Sequence, residues 1–437
     1  MAGKKVLIIS YYWPPSGGIG VLRCLKIAKY LRQFGWEPVI FTADNAHYPS
    51  IDHSNDHDIP PGALILRQRI WEPYHLYKWF TGKPKTANVN NVFYVQENRS
   101  DWKHYLSVWL RSNFFIPDAR AAWIRPSVRF LTKYLKENPV DAIFSDGPPH
   151  SNTRIATLLK KATGIPWLAD FQDPWTQVDY YQLLHLTHWG DRRHRRMEQE
   201  AFRMADRMTI VSPTWKNDLE QIGARNVSVI PWGFDPDDYQ NLPSPAGDKF
   251  SITHLGILGY DRNPPALFQV LQELCISQPG FRQHLEIRLV GQLDPTVLDA
   301  IQAAKLEDRT LMPGNVSRQE ALQFTSSSEV LLLLLNRQSN AMGRIPGKLF
   351  EYIAVARPIL VLGSPASDAA RIACETSLGH AADYDDTAAI RTAILSMYQD
   401  FISRKSALRA PLPDASHPYS IVRLTGQIAA LLDEISR

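Results

Sequence analysis

Uninterrupted apolar runs alternating with amphipathic segments leave this chain few ways to fold. In the first half the runs are KVLIIS, PVIFT, AIFSD, PWLAD, MTIVS and VSVIPWG; in the second they are FSITHLG, LEIRLVG, RTLMPG, VLLLLLN and PILVLG. A strand with one wet face alternates polar and apolar residues, whereas a run apolar at nearly every position is a strand covered on both faces. Between the runs, segments such as VLRCLKIAKYLRQFG carry apolar residues at helical spacing and stop on a glycine, Gly35. This order predicts an α/β architecture of doubly wound parallel sheets wrapped by helices. A length of 437 residues exceeds one ordinary core and fits two such domains. The stretch DPDDYQNLPSPAGDKF, Asp235 to Phe250, has prolines, a glycine and acids but no periodicity, so it reads as a linker. We expect a first domain over residues 1–235, a second over 236–412, and a closing helix within 413–437 that needs a surface to cover and packs back on the first domain.

Composition narrows the partners. Apolar residues make up 44% of the chain and charged residues 21%, a globular balance, and a net charge of +4 gives no case for nucleic acid. Cys24, Cys275 and Cys374 are few, odd in number and far apart, which suits a reducing compartment and provides neither a disulfide framework nor a metal-ligand spacing. The opening MAGKKVLIIS has only a strand-length apolar run, and the longest pure one, Val330 to Leu335, is too short to span a bilayer. A cytoplasmic protein is expected. The basic run DRRHRR, Asp191 to Arg196, reads either as a solvated helix face or as a peripheral contact with the anionic inner face of the membrane. The aromatic-rich region from Trp71 to Trp123 reads either as core packing or as an interfacial, acceptor-facing insertion.

Ligands of doubly wound sheets sit beyond the carboxyl ends of the strands, so the residues following each run are the candidate site. After the first comes YYWPPSGGIG, whose Gly17 and Gly18 precede a helical pattern and could let a ligand approach the backbone. After PWLAD, Asp170 and Asp173 could bind sugar hydroxyls or cap a helix, and SDGPPHS places His150 in an equivalent position. In the second half, GRIPGKLFEYIAVARPILVLG reads as loop, helix and buried strand. The amides of Gly347, Lys348 and Leu349 would then point outward at the positive end of a helix, suited to phosphate. Glu351, one turn on, would accept both hydroxyls of a ribose, or would only favour the helix dipole. Arg262, in LGILGYDRNPPAL, is a second cation for the same crevice. The acidic DPDD at Asp235 lies in the expected linker and is not read as a metal site.

Together YYWPPSGGIGVLR, SDGPPHS, DFQDPWT, VSPTWKNDL, DRNPPAL, LVG, PGNVSRQEAL and IPGKLFEYIAVARPILVLG resemble, in order and spacing, the retaining family-four glycosyltransferases of the GT-B fold, especially bacterial enzymes of cell-envelope polysaccharide synthesis. The resemblance implies two Rossmann-like domains facing a cleft, the second holding a nucleoside-diphosphate sugar as co-substrate, with a glycan or lipid-linked acceptor and no metal. It assigns Glu351 to the donor ribose, the Gly347, Lys348 and Leu349 amides and Arg262 to the diphosphate, Asn315, Val316 and Ser317 to the nucleobase, and Gly17 and Gly18 to a mobile loop over donor and acceptor. Asp173 and His150 would orient sugar and acceptor. Two departures stand out: the family's glutamate eight places before Glu351 is Gly343 here, leaving Asn340 or Arg344 to replace it, and Gln172 stands where relatives carry histidine or arginine. The expected activity is retaining sugar transfer to an acceptor hydroxyl; the alternatives are a nonhydrolysing nucleotide-sugar epimerase and a catalytically silent nucleotide-binding scaffold.

Overall fold

The computed structural model describes residues 3–48, 50–72, 102–178, 180–240, 242–243, 248–338, 341–403 and 412–437. The chain divides into two compact units, one formed by Met1–Pro231 with Ile421–Arg437 and the other by Trp232–Ser420. The first change of unit thus falls at Pro231/Trp232, ahead of the stretch read as a linker. Apolar anchors explain this: Phe234, just before the 3-10 turn Pro236–Tyr239 that Asp235 caps, and Tyr239, at the end of that turn, are buried in the second core.

In the first unit the apolar runs become β1 (Lys4–Ile9), β2 (Trp36–Ala43), β4 (Ala142–Gly147), β5 (Trp167–Phe171), β6 (Arg207–Ile210) and β7 (Val227–Val229), joined by β3 (Leu64–Gln68). All pair in parallel, in the order β3-β2-β1-β4-β5-β6-β7. The order reverses between β1 and β4, which opens a crevice at their carboxyl ends. Helix Ile19–Leu31 covers one face through Val21, Cys24, Leu25 and Ala28, and Gly35 ends it after a 3-10 turn at φ +80°. Helix Ile421–Ile435 packs beside it, burying Ile421, Leu424, Ile428, Ala429 and Leu432 in the same core, with Lys4 Nζ 2.8 Å from Asp433.

The second unit repeats the plan with β8 (Phe250–Leu255), β9 (Leu285–Val290), β10 (Thr310–Gly314), β11 (Val330–Leu334), β12 (Ile359–Leu362) and β13 (Gly379–Ala382), parallel in the order β10-β9-β8-β11-β12-β13. Its switch point lies between β8 and β11. There the backbone runs close: Gly256 follows β8 at φ +104°, and a Cβ on Gly291, which follows β9 at φ +126°, would lie 2.5 Å from the Gly256 carbonyl oxygen. We expect Gly291→Ala to cost about 1–3 kcal/mol, because left-handed backbone and overpacking add. Thermal denaturation measures it, and an unchanged midpoint would show that this approach is not tight.

Candidate active site

In the second unit, helix Lys348–Ala354 begins beside the end of β8. Lys348 Nζ donates to the Leu255 carbonyl at 2.7 Å, so the ammonium is fixed at the switch point rather than extended into solvent. Burial, and then the charge of Arg262, push its pKa down to about 7, while Glu351 opposes them. Arg262 closes the 3-10 turn Tyr260–Arg262; its side chain is 12% exposed, 3.8 Å from Asp261, and its Nε makes no hydrogen bond among the described residues. His254 on β8 donates through Nδ1–H to the Leu332 carbonyl at 3.1 Å, and burial followed by the Lys348 charge holds its pKa well below the usual value. Three basic groups thus crowd one strand end, and two of them are discouraged from carrying charge. A crowded, desolvated cationic set is what an anionic ligand would relieve.

On the other side of Lys348 lies an acidic group. Glu351 is 3.5 Å from Arg318, which also reaches Asp238 at 3.3 Å. Burial raises the Glu351 pKa, Arg318 pulls it back, and Asp238 raises it further. Tyr239, next to Asp238, is pushed up by burial and then by the Glu351 charge. Arg318 and Asp238 were not among the sequence candidates. Arg318 follows the cap of its helix, and Asp238 sits in the string that reads as a linker; neither shows periodicity or a strand-end position in the sequence.

Several of the other candidate groups are engaged within the fold. The Leu349 amide donates to the Pro346 carbonyl at 3.0 Å and its side chain is fully buried, so only the Gly347 and Lys348 amides lack a backbone acceptor among the described residues. The turn folds back on itself because Gly347 is already helical, at φ −57°. Ser317 caps helix Arg318–Ser326 in a capping box, its amide and hydroxyl both donating to Glu320, at 2.8 and 2.7 Å. Its polar groups are therefore spent locally, while Asn315 is exposed and Val316 half-buried. Gly343 is buried in the turn Ala341–Gly343 and Arg344 is half-buried beyond it; Asn340 lies outside the described residues.

The first unit holds a different arrangement at its own switch point. Gly17 does not face open space: its amide donates to the Ser50 carbonyl at 2.9 Å, and a Cβ there would lie 2.5 Å from Ser50 Oγ. Glycine is needed for the approach of segment 50–52, which Asp52 N–H and the Pro15 carbonyl clamp at 2.9 Å. Gly18, at φ +85°, by contrast has no described atom within 4 Å of where a Cβ would be. Arg23 is buried and grips Asp170 through two bonds of 2.8 and 2.9 Å, while reaching the Ile230 and Pro231 carbonyls. Thr209 adds a third donor to Asp170. Asp170 thus anchors helix Ile19–Leu31 and β6 to β5. Gln172 donates to the buried Asp146 carboxylate, which also accepts from Ser10 at 2.9 Å. Burial, and then the neighbouring Asp170, raise Asp146 to about 7. Asp173 is half-buried in the bends after β5.

His150 opens helix His150–Thr163 and is 9% exposed. Its ring lies flat on Trp175, centroids 4.5 Å apart and planes 1° apart, and its Nδ1 is buried without a hydrogen-bond partner among the described residues. Burial, then the neighbouring His194, push its pKa down to about 3, so it is neutral at physiological pH. Trp175 donates to His194 Nδ1 at 3.0 Å. These rings floor a cavity of about 300 Å³ whose other walls include Tyr12, Phe115, Tyr181 and the arginines Arg111 and Arg120.

Both readings of the aromatic-rich region find residues. Trp123 is fully buried and stacked on Phe41, whereas Trp71 and Phe114 are exposed; residues 73–101 of that region lie outside the described ones. The basic run occupies helix His188–Met204, with Arg192, Arg193, Arg195 and Arg196 exposed beside Trp189. No described helix is long and apolar enough to cross a membrane.

Solved structures share this architecture along nearly the whole chain. Sucrose-phosphate synthase from Thermosynechococcus elongatus is 14% identical with a TM-score of 0.56, the alignment covering 99% of this chain and 96% of that one. The lipopolysaccharide outer core galactosyltransferase WaaB is 12% identical at 0.56, covering 98% and 99%. A putative UDP-N-acetylglucosamine 2-epimerase from Listeria monocytogenes is 12% identical, also at 0.56, covering 99% and 96%. At such identities the likeness is one of fold: two Rossmann-like units of GT-B type. No curated protein matches by sequence. Residues 17–233 match the glycosyl transferase 4-like domain. Residues 17–233 thus carry a glycosyl transferase 4-like domain, within a chain of GT-B fold.

Proposed function

We propose that the protein moves a hexose from a nucleoside-diphosphate sugar to a hydroxyl of a glycan or lipid-linked acceptor, with retention at the anomeric carbon and without a metal, in the building of cell-envelope polysaccharide. The observation that supports this best is the fixed Lys348 ammonium, with Arg262 beside it and Glu351 one turn on, at the switch point of the second sheet. As the glycosidic bond to the diphosphate breaks, negative charge grows on the leaving oxygen. Lys348 and Arg262 meet it without reorganising, together with the Gly347 and Lys348 amides. Glu351 would take the ribose hydroxyls, exchanging its weak 3.5 Å contact with Arg318 for two O–H donors. In the first unit, neutral His150 would hold a sugar hydroxyl and Asp173 would orient the acceptor. The exposed arginines beside Trp189 suit a peripheral contact with an anionic membrane.

Calorimetry with UDP-, GDP-, ADP- and dTDP-sugars tests the reading. One of them should bind, and Glu351→Ala should weaken it at least about tenfold, or 1.4 kcal/mol. The bound diphosphate raises the Lys348 pKa from about 7, so at pH 8 the complex takes up a proton that the free protein lacks, whereas at pH 6 the lysine is already charged. Affinity should therefore fall as pH rises above 7, and the heat should depend on buffer ionisation at pH 8 alone. Binding that Glu351→Ala leaves unchanged would remove that residue from the site. Incubation with donor alone separates the epimerase alternative, which would release a new nucleotide sugar without any acceptor.

A further inference from the structure

The aromatic cavity of the first unit carries charge that its own fold does not use. We infer that it takes an acceptor sugar bearing an anionic group, a carboxylate or a phosphate; this rests on the transferase reading above. The volume of about 300 Å³ lies at the small end for ligand pockets and suits one sugar ring. The half-buried Phe115 ring in the wall suits the C–H face of such a ring, and neutral His150 and His194 add no charge.

The charges that remain are Arg111, Arg120 and Asp118. Arg120 is engaged: its guanidinium lies over the Tyr11 ring at 4.6 Å, 3.5 Å from Glu72 and 3.4 Å from the Tyr12 hydroxyl. Asp118 is engaged too, accepting from the Ser151 amide and hydroxyl, each at 2.8 Å, and from the Arg120 amide at 2.9 Å. Arg111 differs. It is half-buried in the wall, and its guanidinium has neither a hydrogen bond nor an ion pair among the described residues. A planar fork of donors beside an aromatic floor matches a sugar carboxylate or phosphate, which it can bind through two parallel bonds. A neutral hexose would leave that fork unused, and no carboxylate of the cavity is free to answer it.

Saturation-transfer NMR and calorimetry on the full chain, loaded with the donor nucleotide, provide the test. The probes are methyl glucoside, methyl glucuronide and glucose 6-phosphate. One or both anionic sugars should bind at least tenfold more tightly than methyl glucoside, and the stronger arm identifies carboxylate or phosphate as the group. Arg111→Gln should erase that preference while leaving nucleotide affinity and the melting temperature unchanged. Equal binding of all three sugars, or a preference that survives Arg111→Gln, would overturn the inference while the transferase reading stands. Failure of every nucleotide to bind would instead strike the transferase reading first and the inference with it.

Discussion

Replacing Lys348 by methionine should lower kcat about a hundredfold or more and leave the fold intact. Methionine keeps most of the volume and unbranched reach of the side chain, so the packing at the end of β8 survives. It loses the ammonium that the Leu255 carbonyl holds in place. Removing one preorganised donor at a developing oxyanion costs about 100- to 1,000-fold in rate, and a full charge in a desolvated site falls within that range. Stability should not drop. Burial and the charge of Arg262 already disfavour the charged lysine, and its folded pKa of about 7 lies below the ordinary lysine value, so it opposes folding in full below about pH 7 and fades as pH rises to that ordinary value. Steady-state kinetics with a saturating donor, set against melting curves, separate the two effects. A kcat within threefold of the parent would show that the diphosphate docks elsewhere.

Breaking the Arg23–Asp170 pair should have the largest effect on stability. Both side chains are 1% exposed, and the guanidinium joins helix Ile19–Leu31 to β5 and to the carbonyls of Ile230 and Pro231. Arg23→Ala leaves Asp170 charged in the core with only Thr209 as a donor, and loss of one partner of such a pair costs about 3–5 kcal/mol. Asp170→Leu alone should cost a similar amount by stranding the arginine. The double variant Arg23→Met with Asp170→Leu should recover much of the loss, because neither charge is then desolvated alone. Urea unfolding of the three variants measures this. Losses that simply add would show that the pair is not coupled.

The fold was legible because strands buried on both faces leave nothing but apolar residues to write. β1, β2 and β11 read directly from KVLIIS, PVIFT and VLLLLLN. The two strands missing from that reading, β3 and β13, sit at sheet edges, where LILRQ and GHAA are half-exposed and carry no such run. Lys348, Arg262 and Glu351 became candidates from their position after strands and at the start of a helix, and the structure gathers them at one strand end. Gly17, Asp170 and Ser317 matched the same cues and turned out to be spent on the fold itself. A sequence places a polar group at a strand end but does not say which neighbour has already claimed its hydrogen bonds. Arg318 and Asp238 show the converse: Arg318 meets Glu351 across 33 positions of chain and Asp238 across 80, through tertiary contact alone.

Helix Ile421–Ile435 completes the core begun by β1 and helix Ile19–Leu31, with a lysine–aspartate contact spanning 429 positions. During synthesis, the apolar stripe that this helix covers stays bare until the whole intervening unit has left the ribosome. At roughly 5–20 residues per second that interval lasts on the order of ten seconds or more. The second unit, contiguous in the chain, can finish folding first. The unit whose synthesis begins earlier is therefore the one that must wait, shielded from neighbours by chaperones or by transient packing of its own.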